Sequence, residues 1–171
     1  MILIESDSKI QTKNNNIDMN HEDFYPKYDL DGITFKTIVS GDKTRNEYSI
    51  IEIIFPEGDD EKEIPLHIQS QEIVIVCVVH GDFEIVYGKQ NINGIAGTVL
   101  KLEKDIPRSF KKKHTSDGKL LVTYLPGGFE NFFREIALCN MEDLKKNGIE
   151  DPILIQLLEK NYGAKVLFEK P

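Results

Sequence analysis

Hydrophobic and polar positions follow two different rhythms along this chain. From Tyr28 to about Pro126, short apolar-rich segments are separated by Gly, Asp, Asn and Pro turns. Ile33–Val39 is β-rich and stops at Ser40-Gly41-Asp42, and Tyr48–Phe55 (YSIIEIIF) is closed by Pro56-Glu57-Gly58. Ile73–Val79 (IVIVCVV) is an unbroken apolar run, as expected of a central strand buried on both faces. After the turn at His80-Gly81-Asp82 come Phe83–Tyr87, Gly97–Leu102, Ser109–Lys111 and Leu120–Leu125. Strands of this length and spacing predict an all-β sandwich or barrel.

The rhythm changes after Pro126-Gly127-Gly128. Phe129, Phe132, Phe133, Ile136 and Ala137 recur at helical spacing and mark one face of an amphipathic helix. Asn140 can cap a second helix that stops at Asn147-Gly148. Asp151-Pro152 starts a third, carrying Leu154, Leu157, Leu158 and Tyr162 and ending at Gly163. The predicted organisation is an N-terminal arm over residues 1–27, a β-barrel over 28–126 and a helical extension over 127–171 packed on it. Within the arm, Met1–Glu5 has strand composition and residues 11–23 form a polar loop.

Composition narrows the function. Among 171 residues, 29 Asp and Glu outweigh 21 Lys and Arg, for a net charge of −8. An acidic chain argues against nucleic acid and against an anionic membrane as partner. No apolar run reaches the roughly 18 residues of a membrane span, and the start MILIESDSK lacks a basic segment ahead of its apolar residues. Cys77 and Cys139 lie far apart in apolar runs and read as reduced, buried thiols. A cytoplasmic location is expected.

Several motifs carry a resemblance. Pro65-Leu66-His67-x-Gln69, the strand to Val79 and His80-Gly81 have the spacing of the first cupin motif. Gly97-x5-Glu103 and Ile106-Pro107-Arg108-x-Phe110 have that of the second. Leu120–Glu135 (LLVTYLPGGFENFFRE) and the ending LLEKNYGAKVLFEKP are the most specific pieces. Over roughly residues 30–171 the chain resembles the single-domain, quercetin-dioxygenase-like cupins. The resemblance implies a cupin (double-stranded β-helix, or jelly-roll) barrel with short C-terminal α-helices.

Cupins of this type hold a divalent metal (Fe, Mn, Ni or Zn) with an H-x-H pair, a Glu and a third His. Two imidazoles at i and i+2 share one face of a strand, so both can reach one ion. The resemblance places His67 at the first of these positions, Gln69 at the second, Val74 at the Glu and Arg108 at the third His. Valine offers no donor and arginine is a fixed cation, so no metal cofactor is expected. Glu72, two residues before Val74, is the one substitute that would let His67 and Gln69 hold a metal.

Three arrangements of Arg108 remain open. It pairs with Glu72 and plugs the site, or it binds an anionic small molecule together with His67 and Gln69, or it lies outside the barrel. Tyr124 and Tyr87 are candidates to line the cavity. Phe129, Phe132 and Phe133 are expected to pack on the barrel, and Lys111–Lys113 to form a solvated edge. The leading functional reading is a metal-free barrel that binds a small molecule. The alternatives are a metal-dependent dioxygenase-like enzyme and a metal-free isomerase with His67 as its base. A homodimer formed through a sheet edge or an exchanged N-terminal strand is expected.

Overall fold

The computed structural model describes residues 26–58, 62–138 and 152–167. Its first strands are β1 (Lys27–Leu30), β2 (Ile33–Val39) and, after a 3-10 turn at Gly41–Thr44, β3 (Ser49–Phe55). Next come β4 (Glu63–Gln69), β5 (Ile73–His80), β6 (Phe83–Tyr87) and β7 (Gln90–Gly94). They are followed by β8 (Val99–Leu102), β9 (Arg108–Lys112) and β10 (Gly118–Leu125). Helix α1 (Glu130–Leu138), helix α2 (Pro152–Tyr162) and strand β11 (Ala164–Val166) complete the fold.

The strands form two antiparallel sheets, one of six strands in the order β1-β2-β3-β10-β5-β8 and one of five in the order β11-β4-β9-β6-β7. Alternation dictates which side chains meet between them. In β3, Ser49, Ile51, Ile53 and Phe55 are buried and the residues between are half-buried. β10 repeats the pattern with Gly118, Leu120, Val122 and Tyr124. The apolar members of both sets and Tyr124 join Phe83 and Ile85 of β6 and Phe110 of β9 in one core shared by both sheets.

The run Ile73–Val79 departs from expectation. β5 lies between β10 and β8 in hydrogen bonding, yet just one of its faces is fully buried. Val74, Val76 and Val78 point into the core, while Ile75 and Val79 are exposed and Cys77 is half-buried on the other face. Cys77 is therefore not a core thiol. Cys139 lies outside the described residues.

Four strands have weak apolar signals. β7 (QNING) is held by its hairpin pairing with β6, not by a hydrophobic stripe. β1 and β11 are short, and β4 is irregular, with a register shift between Ile64 and His67. β11 pairs with β4, so the C-terminal extension carries a strand back into the sheet as well as helices. Lys112 also differs from the expected solvated edge. The inward phase of β9 buries it, and its Nζ donates to the carbonyls of Pro56 (2.6 Å) and Gly58 (3.2 Å).

The helical periodicity from Phe129 is realised in α1, which starts one residue later. Phe133 stacks on Phe35 with centroids 4.2 Å apart, and Phe129 on Tyr124 at 4.9 Å. Phe132 meets Tyr162 of α2 edge-on at 5.5 Å. Aromatic packing of this kind favours offset or edge contacts. The Glu130 carboxylate accepts from the backbone N–H of Gly41 (2.6 Å) and of Gly128 (2.8 Å), fastening α1 to the 3-10 turn. α2 begins at Pro152, where no N–H is needed, and ends at Gly163, whose φ of +59° suits a residue without Cβ. The helix expected from Asn140 to Asn147-Gly148, the cap at Asp151 and the arm up to residue 25 lie outside the described residues. No described helix is long and apolar enough to cross a membrane.

Candidate functional site

A cavity of about 810 Å³ lies between the sheets and the helices. Its wall sorts by position along the strands. β4 runs from Ile64 to His67 and Gln69, while β9, antiparallel to it, runs from Arg108 to Phe110. β10 runs from Leu120 and Val122 to Tyr124, and β5, antiparallel to β10, from Val74 to Val76. His67, Gln69 and Arg108 share one end of the β4–β9 pair, and the electrostatic coupling of Arg108 with Tyr124 puts Tyr124 beside them. His67 is the Cα partner of Arg108, and Ile64 that of Phe110. Tyr124 is the partner of both Val74 and Ser49. The cavity is thus polar at its His67–Arg108 end and apolar through its middle, and it is charged again where Asp29, Asp31, Lys62 and Glu63 line it. Wall residues that reach solvent, among them Asp31 and Glu63, sit at the β1–β2 turn and the start of β4.

His67, Gln69, Arg108 and Tyr124 are brought to this one cavity. His67 Nδ1 lies 2.8 Å from the Pro65 carbonyl. A carbonyl can only accept, so Nδ1 carries the proton and Nε2 keeps its lone pair. Burial lowers the imidazole pKa to about 4, with the Arg108 charge adding to it against hydrogen bonds to Pro65 and to the Gln69 side chain. His67 is therefore neutral at pH 7.

Arg108 has no exposed surface (0 %), which removes the arrangement with its side chain outside. Nη2 donates to the Glu103 carbonyl (2.8 Å) and Nε to that of Ile106 (3.3 Å), while Nη1 is buried with no hydrogen-bond partner among the described residues. Burial pulls the guanidinium pKa down; nearby Tyr124, Tyr87 and Glu72 oppose it.

Glu72 immediately precedes β5 and is buried, but it is not part of the cavity wall. Burial raises its carboxyl pKa to about 7, against its own backbone N–H and the charges of Lys104 and Arg108. The plugging ion pair is not made: among the described residues, both Glu72 Oε2 and Arg108 Nη1 are without hydrogen-bond partners. Gln69 Nε2 and Ser49 Oγ are likewise buried and unpartnered. Burial pushes the Tyr124 hydroxyl above its ordinary pKa.

Ser49, the one polar residue on the inward phase of β3, is buried but does not line the cavity. The apolar wall from β2, Ile33 and Phe35, carried no site signal in the sequence. Tyr87 does not line the cavity; its hydroxyl accepts from the Glu103 N–H (2.9 Å), and Tyr87 is the Cα partner of Arg108. Phe129, Phe132 and Phe133 pack in the core and also form part of the wall. His80 and His114 are exposed and pair with Asp117 (3.1 Å) and Asp82 (3.4 Å).

The donor set does not suit a divalent transition metal. Among the described residues, no three His, Cys, Asp or Glu side chains converge. The imidazole of His67 stands across from a buried guanidinium, which repels a cation.

The architecture has known counterparts. No protein-family model and no curated protein matches the chain. Among solved structures, it is similar to KdgF from Halomonas sp. at 17% identity and a TM-score of 0.55, covering 66% of this chain and 94% of that one. An RmlC-like cupin from Shewanella frigidimarina has 14% identity and a TM-score of 0.50 over 63% of this chain and 89% of that one. The Cnp3 cupin domain of Schizosaccharomyces pombe has 16% identity and a TM-score of 0.50 over 74% of each chain. The chain has the cupin fold. Identities this low carry the architecture and no activity.

Proposed function

We propose that this protein binds a small anionic organic molecule, without a metal, at the polar end of the cavity. The observation that supports this reading is the unpartnered Arg108 Nη1, a charged donor on a side chain with no exposed surface. A buried charged donor without an acceptor is costly, and an anion in the cavity supplies one. The Gln69 amide, which meets the His67 ring, adds a second buried N–H donor beside it.

The test is calorimetric titration of small anions into the full chain, alongside elemental analysis of protein purified without chelator. Binding lost in Arg108→Met, with no stoichiometric metal, is the expected result. Metal near one equivalent, lost in His67→Ala, would replace this reading with the metal-dependent, dioxygenase-like one.

We also propose a homodimer built on the β8 edge. Ile75, Val79 and Val99 (61 % exposed) leave an apolar strip beside that edge. Edge-to-edge pairing with a second copy would extend the sheet and cover the strip together. Light scattering checks this: Val99→Lys should shift a dimer to monomer, and a wild-type monomer ends the idea.

A further inference from the structure

The cavity asks for more than a charge. We propose that its ligand is an amphipathic monocarboxylate bound head-first, the carboxylate on Arg108 Nη1 and Gln69 Nε2 and the apolar body along Phe110, Val122, Leu120 and Phe35. This rests on the anion-binding reading above and names the class of ligand.

Three observations converge on it. The first is the segregation of the wall. The register of β4 with β9 and of β10 with β5 sets Arg108, His67 and Tyr124 at one end. From there toward the solvent-reaching residues, the same strands present Phe110, Ile64, Val122 and Leu120. A wholly polar anion would leave that apolar length filled with water or empty, and apolar cavities hold water poorly.

The second is the kind of orphaned atom. Among the described residues Arg108 Nη1 is a buried donor without an acceptor, and the Gln69 amide, which also meets His67, sets a second buried N–H donor beside it; a carboxylate offers two acceptor oxygens. The third is charge. Arg108 is the permanent cation among the polar residues of the wall's closed end, and His67 beside it is neutral. One negative charge is balanced there; the other cation of the wall, Lys62, stands with Asp31 (3.6 Å) near the solvent-reaching residues, so a second charge on the same head group would go unmet. The volume of about 810 Å³ exceeds what a carboxylate head needs, so the body of the ligand has room.

The experiment is calorimetry on the full chain with acetate, butanoate, hexanoate, octanoate and octan-1-ol. Affinity should rise roughly fourfold per methylene buried between butanoate and octanoate. Octan-1-ol should bind at least about tenfold more weakly than octanoate, the loss expected when a charged donor goes unmatched. In Arg108→Met and, as a second variant that removes no charge, Gln69→Leu, that preference should shrink, with circular dichroism checking that each variant is folded. Acetate binding as tightly as octanoate would leave the anion site standing and overturn the amphipathic ligand. Octan-1-ol binding as tightly as octanoate would overturn the anion reading itself. No binding of any probe would end both.

Discussion

His67 and Arg108 are cross-strand partners, an imidazole and a guanidinium set opposite one another in the β4–β9 pairing. Two like-signed groups cannot both be charged there at low cost. Arginine does not give up its proton, so the imidazole is the one that stays neutral. The bond from Nδ1–H to the Pro65 carbonyl then fixes which nitrogen is free.

This relationship predicts the titration of His67. In Arg108→Gln the imidazole pKa should rise from about 4, because a repelling charge is removed. It should stay below the ordinary histidine value of about 6.5, because burial is the larger cause. Nitrogen-edited NMR of the ring reads both the pKa and the tautomer. A wild-type ring protonated on Nε2 at neutral pH would contradict the Pro65 hydrogen bond.

His67 and Glu72 make opposing demands on stability, and the signs can be worked out. The His67 pKa is lowered on folding to about 4, so the unfolded chain binds its proton first, and stability is lost as pH falls from 6.5 toward 4. The Glu72 pKa is raised to about 7, so the folded chain binds the proton more readily, and stability is lost as pH rises from 4.5 toward 7. Between about 4.5 and 6.5 the two proton differences cancel. Removing one partner should expose the other. Relative to wild type, Glu72→Gln should gain stability with rising pH in that window, by up to about 1.4 kcal/mol per pH unit. His67→Leu should show the reverse slope. Urea unfolding across the window measures both, and parallel curves for all three proteins would refute the pair.

How much of this was legible in the sequence depended on the type of signal. Alternation and helical periodicity placed β2, β3, β5, β6, β10 and α1 within a residue or two, because burial on one face imposes those periods. The spacing of His67, Gln69 and Arg108 marked residues that do converge on one cavity. β7 and β11 escaped because backbone pairing with β6 and β4 positions them without an apolar stripe. Lys112 escaped because a lysine in a basic run looks solvated, and its two carbonyl acceptors, at Pro56 and Gly58, come from a distant turn. The missing Arg108–Glu72 bond is likewise a matter of side-chain reach that residue spacing does not encode.

Lys112 should therefore behave as a buried hydrogen-bond donor and not as a surface charge. Lys112→Met keeps the length of the side chain but deprives the Pro56 and Gly58 carbonyls of their donor. An unmet buried polar group costs about 1–3 kcal/mol, so a loss of that size is expected in urea unfolding. Lys113→Met, whose exposed Nζ bonds to Asn93, serves as the comparison and should change stability by less than about 0.5 kcal/mol. Equal effects at the two positions would mean that the Lys112 bonds contribute nothing.

Glu130 joins parts of the chain that sequence separation would keep apart. Its carboxylate is the acceptor for Gly41 N–H, 89 residues away, and for Gly128 N–H at the entry to α1. Hydrogen bonds to an ionised group are worth about 1.5–3 kcal/mol, and a negative charge at the start of a helix also meets the positive end of its dipole. Glu130→Ala should lower stability by roughly 2–3 kcal/mol. Glu130→Gln should recover less than half of that loss, because one end of an amide is a donor and would face an N–H. The local readout is hydrogen exchange: in both variants the Gly41 amide should lose more protection than the amides of Ile51 and Val122 in the sheet core. A uniform loss across all of these amides would show that Glu130 contributes to global stability without holding the 3-10 turn against α1.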